Sequence, residues 1–172
     1  LEQQPVYIEI PQNMMSADIG EATVKSLTCK EDALSDLASL NEAFKEVALA
    51  IQEKKSPVIH VGVGARRYRL KEQIELWSER CSIPVVTSVM GKGAFSEEHP
   101  NFCGVFMGEM GDYRAREKIM ESDCVIHVGV ILSDVNTGFW TGVVEKDKSI
   151  EINPHKLRVF NHYYKNVHIK DL

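Results

Sequence analysis

Residues 56–64 read Ser-Pro-Val-Ile-His-Val-Gly-Val-Gly, and together with the helix and strand downstream of them they decide the fold. Ser56-Pro57 breaks any preceding helix, because a residue before proline is pushed out of the α region. Val58-Ile59-His60-Val61 is a short β-branched apolar run, which reads as a strand. Gly62-Val63-Gly64 then turns the chain. Next, Leu70, Ile74, Trp77 and Cys81 recur at steps of four, three and four, a single helical face. Ile83-Pro84-Val85-Val86-Thr87 is a second strand. A strand, a glycine turn, a helix and a strand in that order make a parallel pair joined by a crossover.

The same grammar continues downstream. A long connection, MGKGAFSEEHPNFCGVF, holds a short third strand near residues 102–105. Asp112 is a candidate N-cap for a helix running through Ser122. Residues 124–128, Cys-Val-Ile-His-Val, form the next strand and end at Gly129. Residues 149–152 form a fifth, ending at Asn153-Pro154. Residues 167–169, Val-His-Ile, are read as a sixth. Strands alternating with helices predict an α/β fold, a doubly wound, mostly parallel sheet of about six strands with helices on both faces. In such sheets the loops beyond the strand C-termini line a crevice. Here those loops are residues 62–67, 88–94, 129–138 and 153–155.

Upstream, a helix is expected from Glu31. Leu34, Leu37, Phe44, Val47, Ala48 and Ile51 fall near helical spacing, and Lys54-Lys55 complement the negative end of its dipole. Residues 5–11, PVYIEIP, alternate and read as a strand with no partner nearby; residues 12–30 read as a linker. The expectation is that residues 1–30 are a remnant of a preceding domain plus linker, and that residues 31–172 are one domain. No internal repeat or low-complexity tract appears.

Composition excludes several classes. The 172 residues carry 20 Lys+Arg against 25 Asp+Glu, a net charge of −5, with 44% apolar and 26% charged residues. These are ordinary globular values. The mild acidity argues against nucleic acid as partner, and no apolar run is long enough for a membrane helix. Cys29, Cys81, Cys103 and Cys124 form no CxxC pair, which reads as a reduced, cytoplasmic chain.

Candidate chemistry is sparse. Gly62-Val63-Gly64-Ala65-Arg66-Arg67 opens like a dinucleotide fingerprint, but Arg67 replaces the third glycine and the second strand ends in Thr87-Ser88 rather than an acid. A tight strand-to-helix turn explains both glycines without any ligand, and dinucleotide binding of the ordinary kind is not expected. His60 and His127 lie within strands, where a packed, hydrogen-bonded histidine is commoner than a ligand. No histidine pair has metal spacing, and neither GxSxG nor GxxxxGK[ST] occurs. Asp134 and Asn136-Thr137-Gly138 could contact a ligand in the crevice or simply cap their own loop.

Taken together, the strings PVYIEIP, SPVIHVGVGARR, IPVVTSVMGKGAFSEEHPNFCGVFMG, SDCVIHVGVILSDVNTGFW and IEINPHKLRVFNHYYKNVHIKDL resemble the central domain of thiamine-diphosphate-dependent enzymes. Lys92-Gly93-Ala94-Phe95 ahead of Glu98-His99-Pro100 and Gly104 is the most specific piece. LSDVNTGFW looks more like the pyruvate and indolepyruvate decarboxylase group than the acetohydroxyacid synthase group. The resemblance implies a Rossmann-like domain of the DHS-like NAD/FAD-binding type. In the full-length parent it implies thiamine diphosphate with Mg²⁺, a 2-oxo acid substrate, a homo-oligomer, and catalytic domains missing from this chain. It implies no catalytic or metal residue here and no cofactor in the fragment. FAD or an adenine nucleotide is the alternative, as in synthase- or oxidase-like members. The positions matching a nucleotide crevice are Gly62, Gly64, Thr87, Gly91, Lys92, Gly93, Gly129, Asp134 and Asn153. Some members carry an activator cysteine in this domain, for which Cys29, Cys81 and Cys103 are the candidate positions. A free-standing α/β binding domain is the third reading.

Overall fold

The computed structural model describes residues 7–18 and 35–171. The chain divides into two compact units, Leu1–Ala33 and Leu34–Leu172. In the first unit, Tyr7, Ile8 and Ile10 are exposed and unpaired, and Gln12–Met14 make a 3₁₀ turn. The strand expected at residues 5–11 is therefore absent over residues 7–11; Pro5 and Val6 lie outside the described residues. An isolated extended segment has no ladder to join, and alternation alone does not create one.

The second unit holds seven strands: β1 Pro57–Val61, β2 Val85–Ser88, β3 Phe102–Phe106, β4 Cys124–Val128, β5 Ser149–Asn153, β6 Lys156–Val159 and β7 His162–Lys165. Their order is β3-β2-β1-β4-β5-β6-β7. The first five are parallel, and β5, β6 and β7 run antiparallel to one another in turn. The helices are α1 Leu37–Gln52, α2 Val63–Arg67, α3 Lys71–Cys81 and α4 Tyr113–Glu121. One sheet face packs Ile59, Val61, Ile126, Ile150 and Leu157 against α1 and α3. The other packs Val58, Val86, Val125 and Phe106 against Ala115 and Ile119 of α4. The doubly wound architecture is thus as expected, with helices on both faces.

Three local readings need correction. First, α1 begins at Leu37, where the Asp36 carboxylate accepts from Ser39 N–H at 2.9 Å. Its buried face is Ala43, Val47 and Ala50, flanked by Leu40 and Ile51, whereas Leu37 and Phe44 are exposed. Leu34 lies outside the described residues. Small alanines let the helix approach β6 and β7 closely, so side-chain size, not hydrophobicity alone, chose the face. Second, Cys81 ends α3 exposed, and the buried fourth position is Ser78, whose hydroxyl donates to the Ile83 carbonyl at 2.8 Å. Third, residues 167–169 are not a strand. Asn166 takes φ +57 and turns the chain off the β6–β7 hairpin. Val167 and Ile169 then plug into the core from irregular backbone and a 3₁₀ turn.

Candidate functional site

The strand order reverses between β1 and β4, and ligands of open α/β sheets sit outside that point. Both strands carry the same pentapeptide there. Residues 59–63 and 126–130 each read Ile-His-Val-Gly-Val. This repetition is too short to count as an internal repeat, yet it is the signal that marks the centre of the molecule.

The two glycines meet. A Cβ on Gly62 would lie 2.2 Å from the Gly129 carbonyl oxygen, and one on Gly64 would lie 2.6 Å from Gly129 Cα. Gly129 itself has φ +61, and Gly91 closes the junction from β2, its Cβ position 2.9 Å from Gly62 Cα. Their amides are already engaged. Gly62 N–H donates to the Val128 carbonyl at 2.9 Å, Gly64 N–H to Gly129 at 2.9 Å and Gly129 N–H to Ile152 at 2.8 Å. Gly91 N–H donates to the Ser88 hydroxyl at 3.0 Å. The structure therefore brings Gly62, Gly64, Gly91 and Gly129 together, as a backbone crossing.

The other expected positions are scattered around it. Thr87 pairs in register with Val61 and is buried, its hydroxyl oxygen without a hydrogen-bond partner. Lys92 is exposed beside Glu97 at 3.7 Å. Gly93 is exposed, with φ +80 and open space around its Cβ position. Asp134 is exposed, and its carboxylate accepts from Val135 N–H at 2.8 Å. Asn153 ends β5 and pairs with Lys156. Asn136 and Thr137 cap their own loop: Asn136 Nδ2 donates to the Ile131 carbonyl, and the Thr137 hydroxyl to Ser133, both at 2.8 Å. Asn136 Oδ1 is buried without a partner. Beyond this loop the chain shows apolar side chains to solvent at Ile131, Leu132, Phe139 and Trp140.

Directly below the glycine crossing lies a polar row that the sequence reading did not assemble. His60 faces His127 in register, His127 faces Glu151, and Glu151 faces Arg158. The two imidazole Nδ1 atoms are 3.1 Å apart. Burial holds the His60 imidazole well below its ordinary range, with His127 adding to the effect, and burial pushes His127 down to about 4. Arg158 is buried, pairs with the Glu151 carboxylate and donates to the Ser149 hydroxyl at 2.8 Å.

Two of the thiols are held in the protonated form. Burial raises Cys103 and pushes Cys124 up to about 11, which lowers the thiolate fraction that reactivity needs. Cys29 lies outside the described residues, and Cys81 is exposed. Among the described residues no group of three or more His, Cys, Asp or Glu could hold a metal ion, and no helix is long and apolar enough to cross a membrane. Two hollows stand out among the described residues, one remote from the crossing and one whose lining includes Val128 and Ile152, the residues whose carbonyls accept from Gly62 and Gly129. One of about 530 Å³ lies at the opposite end of the sheet, beside Lys54, Cys81 and Lys118. The other, of about 330 Å³, is an apolar groove between α1 and α3.

Residues 44–171 match the family described as thiamine pyrophosphate enzyme, central domain. Relatives include pyruvate decarboxylase of Hanseniaspora uvarum, 24% identical over 99% of this chain and 30% of that protein. Pyruvate decarboxylase of Candida albicans is 30% identical over 98% of the chain and 30% of its own length. Indole-3-pyruvate decarboxylase of Azospirillum brasilense is 30% identical with the same coverage. The chain thus spans about three tenths of the length of the relatives it matches.

Proposed function

This chain belongs to the thiamine pyrophosphate enzyme central-domain family, and on that premise we propose that it is the non-catalytic central domain of a cytoplasmic 2-oxo acid decarboxylase. Its role is to space and support catalytic domains supplied by the rest of a longer, homo-oligomeric enzyme. Residues 1–30 would then be the tail of a preceding domain and a linker.

The observation that carries this reading is the fate of the crest amides. A diphosphate cradle at a strand–helix turn needs free N–H groups aimed at the ligand. Here the N–H groups of Gly62, Gly64, Gly91 and Gly129 all donate within the protein. The glycines serve chain-to-chain approach, which favours a scaffold over a nucleotide module. The apolar side chains of Ile131, Leu132, Phe139 and Trp140 at the same end suit contact with another folded surface. Thiamine diphosphate would bring the electron sink for loss of CO₂ in the whole enzyme. A Mg²⁺ ion would hold its diphosphate, and among the described residues no group of three or more His, Cys, Asp or Glu would supply ligands for that ion.

Absorbance in the flavin bands and calorimetric titration with FAD, ADP and thiamine diphosphate plus Mg²⁺ test the reading. The expected result is no stoichiometric binding, and no consumption of pyruvate or indolepyruvate by the 172-residue chain. A tightly held flavin would replace the scaffold by the nucleotide-binding alternative. Turnover by this chain alone would end both.

A further inference from the structure

We propose that His60 and His127 form an acid-released latch beneath the glycine crossing: the neutral pair ties β1 to β4, and protonation loosens the junction of Gly62 with Gly129. The two histidines are register partners on the central strand pair. Each stands two residues before its glycine. Both side chains are buried on the α4 side of the sheet, at 0% and 3% exposure.

A 3.1 Å contact between two Nδ1 atoms holds one proton. One ring donates from Nδ1 and the other accepts there, so the rings carry opposite tautomers. Protonating the outer nitrogen of the donor keeps the bond but creates a buried cation. Protonating the acceptor removes its lone pair and leaves two N–H groups face to face. Either proton comes from solvent: the first route keeps a charge-assisted bond but buries an uncompensated cation, the second breaks the bond, and both destabilise the closed junction relative to the neutral pair.

The surroundings decide which ring charges first. From β3, Phe106 meets His60 edge-on with centroids 5.3 Å apart. From β2 the register partner of His60 is Val86; the same sheet face carries Ala115 and Ile119 of α4 and Cys103 of β3, whose thiol burial keeps protonated. None of these can balance a cation, and His60 Nε2 has no partner. His127 has Glu151 beside it on β5, but Arg158 on β6 already pairs with that carboxylate. His127 therefore charges first.

Linkage gives the sign. A histidine whose folded pKa lies below its unfolded value stabilises nothing extra above about 6.5 and loses stability as pH falls below it. For a local opening that frees His127, the interval from 6.5 to about 4 amounts to a roughly 300-fold rise in the opening constant of that junction, most of it still to come below pH 5.

Amide hydrogen exchange on the whole chain at pH 7 and pH 5, expressed as protection factors, tests the latch. Protection at Gly62, Gly64 and Gly129 is expected to fall at least tenfold more than at Leu157 and Tyr164 of the hairpin. The double variant His60→Leu/His127→Leu is expected to keep its crest protection between the two pH values. Unchanged wild-type protection, an equal fall across the sheet, or the same fall in the double variant would each overturn the proposal. Imidazole ¹⁵N shifts of the unmodified chain give an answer that does not depend on the variant folding. Opposite tautomers at pH 7 and two neutral rings at pH 6 support the latch; a charged ring at pH 6 refutes it.

Discussion

Gly129 and Gly93 both take positive φ, +61 and +80, and they predict opposite outcomes for the same substitution. An alanine at Gly129 would place its Cβ 2.5 Å from Ala65 N and 2.6 Å from Gly64 Cα. Neither atom can yield without moving backbone, so Gly129→Ala is expected to cost more than about 3 kcal/mol by urea denaturation. At Gly93 nothing lies within 4 Å. There only the left-handed backbone opposes the methyl group, and Gly93→Ala should cost about 1 kcal/mol. Equal costs at the two sites would remove the crossing as the reason for these glycines. Arg158 makes a second test at this scale. Its guanidinium serves Glu151, the Ser149 hydroxyl at 2.8 Å and the Lys146 carbonyl at 3.1 Å. Arg158→Met strands the partly buried Glu151 carboxylate, and a loss of about 3–5 kcal/mol is expected. Adding Glu151→Gln should return at least about 1 kcal/mol, because the stranded charge is then gone. A double variant no more stable than the single one would show that Arg158 acts through its carbonyl contacts alone.

Among the elements, α1 shows where hydrophobic spacing misleads. Phe44 is apolar and at helical spacing, yet it is 61% exposed, while Ala43 beside it is fully buried. The prediction is that Phe44→Lys changes stability by less than about 0.5 kcal/mol and Val47→Ala costs about 1–2 kcal/mol. The helix is also tied to β7 by a polar contact that periodicity cannot reveal. Glu46 accepts from the Tyr164 hydroxyl at 2.5 Å and lies 2.8 Å from His162 Nδ1. Tyr164→Phe is expected to cost about 1.5–3 kcal/mol, because it removes a hydrogen bond to a charged group; a neutral result in thermal denaturation would make that contact incidental. The strands β1, β2 and β4 were legible as compact runs rich in Val and Ile, as central parallel strands are, and β5 by the alternation of Ile150 and Ile152 ahead of Asn153-Pro154. The hairpin β6–β7 was not, since Lys156-Leu157-Arg158-Val159 and His162-Tyr163-Tyr164-Lys165 are rich in charge and aromatic side chains, as edge strands are. Of the candidate site, the glycines were legible as turn-makers. Their mutual contact and the histidine bond beneath them depend on register between strands 67 residues apart in sequence, which composition does not encode.

At the scale of the molecule, both core clusters, among the described residues, lie between Ala43 and Ile169. All the described residues of the first unit are exposed. A chain beginning at Leu34 therefore retains every described core residue of the second unit. It also retains Ser35, whose hydroxyl donates to the Asp171 carboxylate at 2.5 Å and accepts from His168 N–H at 2.7 Å. These bonds fasten the start of the second unit to its end, across 136 and 133 positions of sequence. The expectation is that removing residues 1–33 leaves the unfolding free energy within about 1 kcal/mol and the denaturant slope unchanged, since that slope follows the surface buried on folding. Removing residues 1–35 instead deletes Ser35 but keeps the Asp36 cap, and the loss of the Ser35 bonds to Asp171 and His168 should cost more than about 1 kcal/mol at the same slope. Urea denaturation of the two truncations side by side decides it. A smaller slope in the longer truncation product would mean that the first 33 residues cover apolar surface of the second unit, and the division of the chain at Ala33 would not mark an independent fold.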